Sequence, residues 1–138
     1  MFKRIFRLGD ALTDFLNTDD GANLLAGYKR ASNILKAEEK KGALPTGPAV
    51  IITEAPAEET ALLEALSVIQ PLVTSALETE LYGQAMNALA RLRGPVDAFF
   101  DKVFVNDPNS ALRDNRLRLL ASVRATMEQV ADFNLING

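Results

Sequence analysis

Arg116 stands in the middle of an apolar helix face, and that one residue limits how this chain can fold. At about 100° per residue, Leu112, Leu119, Leu120, Val123, Met127 and Val130 share one arc of a helix wheel, and Arg116 falls inside it. A guanidinium in a core costs several kcal/mol unless a carboxylate and further acceptors meet it. The fold therefore has to bring an acidic side chain to Arg116. Asp97 and Asp101, on the preceding helix, are the expected partners, so that Arg116 with Asp97 or Asp101 forms a structural ion pair. A phosphate clamp is the competing reading of the same arginine. Arg113 and Arg124 lie together at the edge of the arc beside Leu117, and Arg118 points the other way, toward water.

The same helical spacing recurs along the chain. Phe2, Ile5, Leu8, Leu12, Phe15 and Leu16 predict a first helix over Phe2 to Asn17, stopped by "NTDDG". Thr18 to Asp20 offer caps for a second, whose apolar face is Leu24, Tyr28, Ala31 and Leu35 and whose end is marked by Lys40, Lys41 and Gly42. "ALPTGPAVIITEAP" carries three prolines and reads as an extended connection across the bundle. Leu62, Leu66, Ile69, Val73 and Ala76 stripe a third helix, with Glu58 and Glu59 in its first turn where the helix dipole favours them and Pro71 expected to kink or divide it. Leu81, Ala85, Met86, Leu89 and Leu92 form the fourth, ended by Gly94 and Pro95. The fifth turns Val96, Phe99, Phe100 and Val103 inward, with Phe104 on the same face, and "NDPNS" separates it from a sixth over Ser110 to about Phe133. No period-2 pattern and no repeat interrupts this. The expected fold is all-α: one domain over residues 1–138, a bundle of about six helices with antiparallel neighbours and one long extended connection.

Composition narrows the chemistry. The 138 residues are 48% hydrophobic and include no cysteine and no histidine, which removes thiol nucleophiles, disulfides, the usual zinc sites and the commonest general base. "LPTGPAV" lacks the lysine and the helix entry of a phosphate-binding loop. No catalytic residue, metal site or cofactor is expected. No apolar run approaches the roughly 20 residues that span a membrane, and Met1 to Leu8 is too basic and too short in its apolar part for a signal peptide, so the expected location is cytoplasmic, with no membrane partner.

The net charge of −3 hides an uneven layout. From Gly42 to Ala90 there are acidic residues but no lysine or arginine; all basic side chains fall in the two flanking segments. A polyanion should touch the ends of the chain and avoid the middle. On the second helix Lys29, Asn33, Lys36 and Lys40 stack on one side, a basic stripe with an amide in it, which either holds phosphates and a base edge or is a solvated helix face. Arg91 and Arg93 extend the positive surface. Tyr28 packs its ring while its hydroxyl reaches toward the stripe, and Phe99 and Phe100 are read as core.

Three stretches, "LLAGYKRASNIL" (24–35), "GPVDAFFDKVFV" (94–105) and "ALRDNRLRLLASV" (111–123), together resemble the C-terminal anticodon-binding domain of bacterial glycyl-tRNA synthetase beta subunits. That domain is of the DALR class, shared with arginyl-tRNA synthetases and named for a four-letter word that here reads "SALR", with Ser110 as the expected cap of the last helix. The ending "VADFNLING" also resembles the beta subunit rather than an arginyl enzyme. The resemblance implies a tRNA-recognition module that is not itself an enzyme, excised from a longer ligase. Glycine activation with ATP would belong to the alpha subunit. Implied partners are the tRNA(Gly) anticodon loop, the rest of the beta subunit and the alpha subunit. Glycine anticodons carry two cytosines, whose edges a single-stranded loop can present to protein. Asn33 is then assigned donor and acceptor duty, Arg113 or Arg30 donates, Lys29 and Lys36 hold phosphates, and Arg124 and Tyr28 complete the surface. The alternatives are the equivalent arginyl-enzyme domain and a helical protein-interaction domain that docks through the third helix and the proline-rich connection.

Overall fold

The computed structural model describes residues 11–105 and 107–130. After a helical stretch at residues 11–16, five helices follow: α1 Asp19–Glu39, α2 Ala57–Glu78, α3 Tyr82–Ala90, α4 Arg93–Lys102 and α5 Ser110–Glu128. No strand occurs among the described residues. Phe2, Ile5, Leu8 and Phe133, assigned to the first and last expected helices, lie outside the described residues, as do Asn106 and 131–138.

α1 starts where Thr18 accepts the Gly21 N–H at 3.0 Å, satisfying one of the donors that a helix start leaves open. Its Leu24, Tyr28, Ala31 and Leu35 are fully buried, as the spacing predicts. α2 keeps a continuous helix through Pro71, so the expected division does not occur. Pro71 sits on the exposed face beside Ser67, where water can satisfy the carbonyl that the missing N–H leaves open. By length and composition α2 is apolar enough to cross a membrane. It is nevertheless two-sided: Leu62, Leu66, Ile69, Val73 and Ala76 are buried, and Glu64, Ser67, Thr74 and Ser75 are exposed.

The turn after α2 uses a left-handed residue. Glu80 has φ 61°, its N–H bonds Leu77 O, and the Leu81 N–H reaches back to Ala76 O at 2.8 Å. Leu81 is thereby left ahead of α3 and 46% exposed, not inward as its spacing suggests. The break between α3 and α4 falls at Arg91 and Leu92 rather than at Gly94 and Pro95. Those two lie in the first turn of α4, where a proline costs no hydrogen bond.

α1 packs on α4 and α5, and α2 packs on α3, α4 and α5. Side-chain bonds set the directions. Glu59 meets Asn115, Gln70 Nε2 donates to Thr126 Oγ1 at 2.8 Å, and Thr74 Oγ1 donates to Gln129 Oε1 at 2.7 Å, so α2 and α5 run parallel in constant register. Not all neighbours are antiparallel; the short α3 and α4 return the chain and make the parallel pair possible.

Gly21 lies where the segment before α1 crosses it. A Cβ there would overlap the carbonyl oxygen of Phe15, a backbone atom that cannot step aside. Gly21→Ala should lose about 2 kcal/mol or more by chemical denaturation, within the range of local overpacking. Gly83→Ala meets nothing within 4 Å and should unfold at or slightly above the wild-type midpoint.

Candidate nucleic-acid interface

The interface rests on a buried polar cluster. Glu59, Asn115 and Arg116 are each 3% exposed or less. Arg116 Nε donates to Glu59 Oε1, and its Nη1 donates to Phe104 O at 2.6 Å and to Asp107 Oδ2 at 3.2 Å. Asn115 Nδ2 donates to Glu59 Oε2 at 3.1 Å and to Val50 O at 2.9 Å, while its Oδ1 accepts the Val50 N–H at 2.8 Å. Two adjacent residues of α5 thus clamp α2, the 43–56 connection and the loop after α4.

The expected partners of Arg116 are therefore corrected. Asp97 faces out of the bundle and pairs with Arg93 at 3.3 Å, one turn away on its own helix, and exposed Asp101 lies 3.6 Å from Lys102. The partner is Glu59, and its spacing carried a signal that its side chain faces inward. It continues the Leu62, Leu66, Ile69 stripe one step toward the N-terminus, so its side chain points inward and not only at the helix dipole. Asn115 and Asp107 carried no comparable signal.

Other arginines also move from their expected roles. Arg118 is half-buried and donates from Nε to Thr46 O at 2.9 Å, fastening the connection rather than standing free in water. Arg93 is claimed by Asp20 at 3.0 Å as well as by Asp97. The hydrogen bond to Asp20, with that to Asp97 adding, holds its guanidinium above the usual pKa and withdraws it from the positive surface. The α5 cap is Asn109, whose Oδ1 accepts from Ala111 and Leu112 N–H, so Ser110 is the first helical residue and not the cap.

The basic stripe keeps its geometry. Arg30, Asn33, Lys36 and Lys40 are exposed and Lys29 is half-buried. Among the described residues Lys29, Lys36, Lys40 and Arg124 enter no ion pair, which leaves their charge available to an anion. Arg30 lies with its guanidinium carbon 4.5 Å above the centre of the Phe100 ring, and Phe100 is half-buried where a full core position was expected. Tyr28 drops out as an RNA contact: it is fully buried, and its hydroxyl donates to Glu128 Oε2 at 2.7 Å. Arg113 sits near the C-terminal end of α1, where Lys40 closes the stripe, in a hollow of about 240 Å³ with Glu38, Lys41, Leu44 and Asp114. It lies 3.8 Å from Asp114, and its Nε is shielded from solvent with no acceptor among the described residues. Phe104, expected inward beside Phe100, is instead 84% exposed. Among the described residues no cluster of acidic side chains is arranged to hold a metal ion.

Comparison with known proteins agrees with this layout. The DALR anticodon binding domain family matches residues 24–134. The chain is 57% identical over 135 residues to the glycine-tRNA ligase beta subunit of Phenylobacterium zucineum (strain HLK1), a match covering 98% of this chain and 20% of that protein. The beta subunit of Rhodospirillum centenum (strain ATCC 51521 / SW) is 50% identical over 131 residues, covering 94% and 18%. That of Cereibacter sphaeroides (strain ATCC 17029 / ATH 2.4.9) is 46% identical over 138 residues, covering 97% and 19%. The chain spans about a fifth of the length of the curated relatives it matches.

The clamp is testable by urea unfolding. Arg116→Ala strands the buried Glu59 carboxylate and should cost about 3–5 kcal/mol, whereas the joint replacement Glu59→Met with Arg116→Met should recover most of that loss. Asp97→Ala breaks only an exposed pair and should change stability by less than about 1 kcal/mol. A wild-type midpoint for Arg116→Ala would show that the cluster does not hold the bundle together.

Proposed function

We infer function from one premise: the chain belongs to the DALR anticodon-binding domain family. On that premise we propose that it is the tRNA-recognition module of a glycine-tRNA ligase beta subunit and binds the anticodon loop of glycine tRNA. The observation that carries this reading is the solvent-facing side of α1, where Lys29, Lys36 and Lys40 present unpaired charge around the amide of Asn33, beside the exposed Arg30. In this reading Lys29 and Lys36 contact phosphates, which position the RNA, and Asn33 and Arg30 read base edges, which select it. Arg124 and Arg113 extend the contact along α5.

The acidic half of the chain supports the assignment by its place in the bundle. α2 and α3 include no lysine or arginine, and α2 carries Glu58, Glu64 and Glu78 outside the buried Glu59 pair. This half repels a phosphate backbone, so RNA is directed to the α1 and α5 side. Val68 and Leu72 on α2 and Val50 and Ile51 in the connection are exposed, and we assign these apolar side chains to contact with the rest of the longer subunit. Glycine activation with ATP is assigned to other parts of the cytoplasmic ligase complex, in keeping with the anticodon-binding family of this chain.

Binding of a glycine anticodon stem-loop, measured against an unrelated stem-loop across a salt series, tests the reading. Lys29→Ala and Lys36→Ala should weaken both RNAs alike and make the slope of log affinity against log salt shallower by about 0.7 for each phosphate left without its lysine. Asn33→Ala should reduce discrimination between the two loops more than it reduces overall binding. Unchanged affinity for the glycine loop in Lys29→Ala, Asn33→Ala and Arg113→Ala together would refute the proposed surface.

A further inference from the structure

Phe104 has no role in the core and none on the basic face of α1. It is the most exposed of the large apolar side chains described, at 84%, yet its backbone is firmly held. α4 ends at Lys102 and the chain turns extended at Val103, with φ −118° and ψ 128°. In extended chain successive side chains point to opposite sides. Val103 is buried and Val105 packs against the core, so Phe104 between them is driven outward. Its carbonyl accepts the 2.6 Å hydrogen bond from Arg116, which fixes the backbone from the inside. An aromatic ring is thus presented to solvent on a backbone anchored at three consecutive residues.

The ring lines a hollow of about 310 Å³ together with Arg30, Ile34, Ala37 and Phe100, at the lower end of the roughly 300–1,000 Å³ usual for small-ligand sites. Arg30, stacked on Phe100, meets no hydrogen-bond acceptor among the described residues, so its N–H donors are directed to solvent and the hollow. Glu38, also in the lining, is engaged by Lys41 at 3.2 Å. Apolar walls, one free aromatic face and a guanidinium with unspent donors suit a flat heterocycle that carries carbonyl or ring-nitrogen acceptors. That is the chemistry of an unpaired nucleobase.

We propose that Phe104 is a stacking residue for one splayed base of the bound RNA, with Arg30 donating to that base's edge. The inference rests on the reading of this domain as an RNA binder and adds to it a specific base pocket at the α1 and α4 seam. The buried Arg116 then acts at a distance, by holding the backbone that carries the ring.

The sequence contains no tryptophan, so Phe104→Trp gives the full chain a single tryptophan, excited apart from its tyrosines, at the proposed contact. With a glycine anticodon stem-loop as probe, Phe104→Ala should bind about 5- to 150-fold more weakly, as expected for the loss of one base–aromatic stack. Phe104→Trp should bind as wild type, with its emission quenched on addition of RNA. A stem-loop abasic at the stacked position should be bound equally by wild type and Phe104→Ala. Because the side chain is exposed, both variants should melt with the wild type. If the wild type binds the loop and Phe104→Ala binds it equally well, with tryptophan emission unchanged, the base pocket is refuted while the RNA-binding reading stands, and Phe104 belongs to a protein contact. If the wild type itself shows no affinity for the loop, the functional reading fails and the pocket with it.

Discussion

The ion pair between Arg116 and Glu59 is the contact on which the rest of the structure depends. Two charges almost wholly removed from water are costly unless they meet each other and further partners, because an unmet buried donor or acceptor costs its desolvation. Satisfying them requires four separate pieces of chain to converge: the start of α2, the middle of α5, Val50 in the connection and the Phe104 to Asp107 loop. Apolar packing alone would allow α2 to slide along α5 by a turn. The cluster selects one register, and the bonds at Gln70 to Thr126 and Thr74 to Gln129 continue it down the helix pair.

From that frame follows the separation of charge. With α2 and α5 locked parallel, α1 packs on α4 and α5 and carries its lysines to the outside. The stretch without lysine or arginine and the lysine-bearing face of α1 are thus held in fixed places within one small bundle. The uneven layout leaves the α1 lysines clear of the acidic stretch despite an overall negative balance. Arg93 and Arg118 illustrate the complementary rule: arginines that find acceptors inside the protein, Asp20 and Asp97 for one and Thr46 O for the other, are consumed as fasteners.

Much of this was legible in the sequence wherever the controlling physics is local. Helical spacing located the buried faces of all five helices, including the buried place of Arg116, since a side chain's direction on a helix follows from its position alone. The basic side of α1 was legible for the same reason. Spacing misleads where a residue's environment is supplied by a distant segment. It gives Tyr28 a reach to the surface that Glu128, 100 residues away, forecloses by accepting its hydroxyl. It groups Phe104 with the Val96 and Phe100 face, because nothing in it announces that α4 stops at Lys102 and that extended chain follows.

The sequence by itself determined an all-helical chain, a core-facing arginine in need of a carboxylate, and a division into acid-only and basic segments. Each of these is a property of neighbours in the chain, or of composition. Only the tertiary structure decided that the carboxylate is Glu59, that Asn115 grips the connection, and that Phe104 faces solvent. The first two outcomes depend on pairing residues 56 to 65 positions apart, where many carboxylates satisfy the local demand equally well, and the third on where α4 stops and on a carbonyl held by Arg116. The choice among the carboxylates is made by the packing that brings the start of α2, the connection and the loop after α4 together on two adjacent residues of α5.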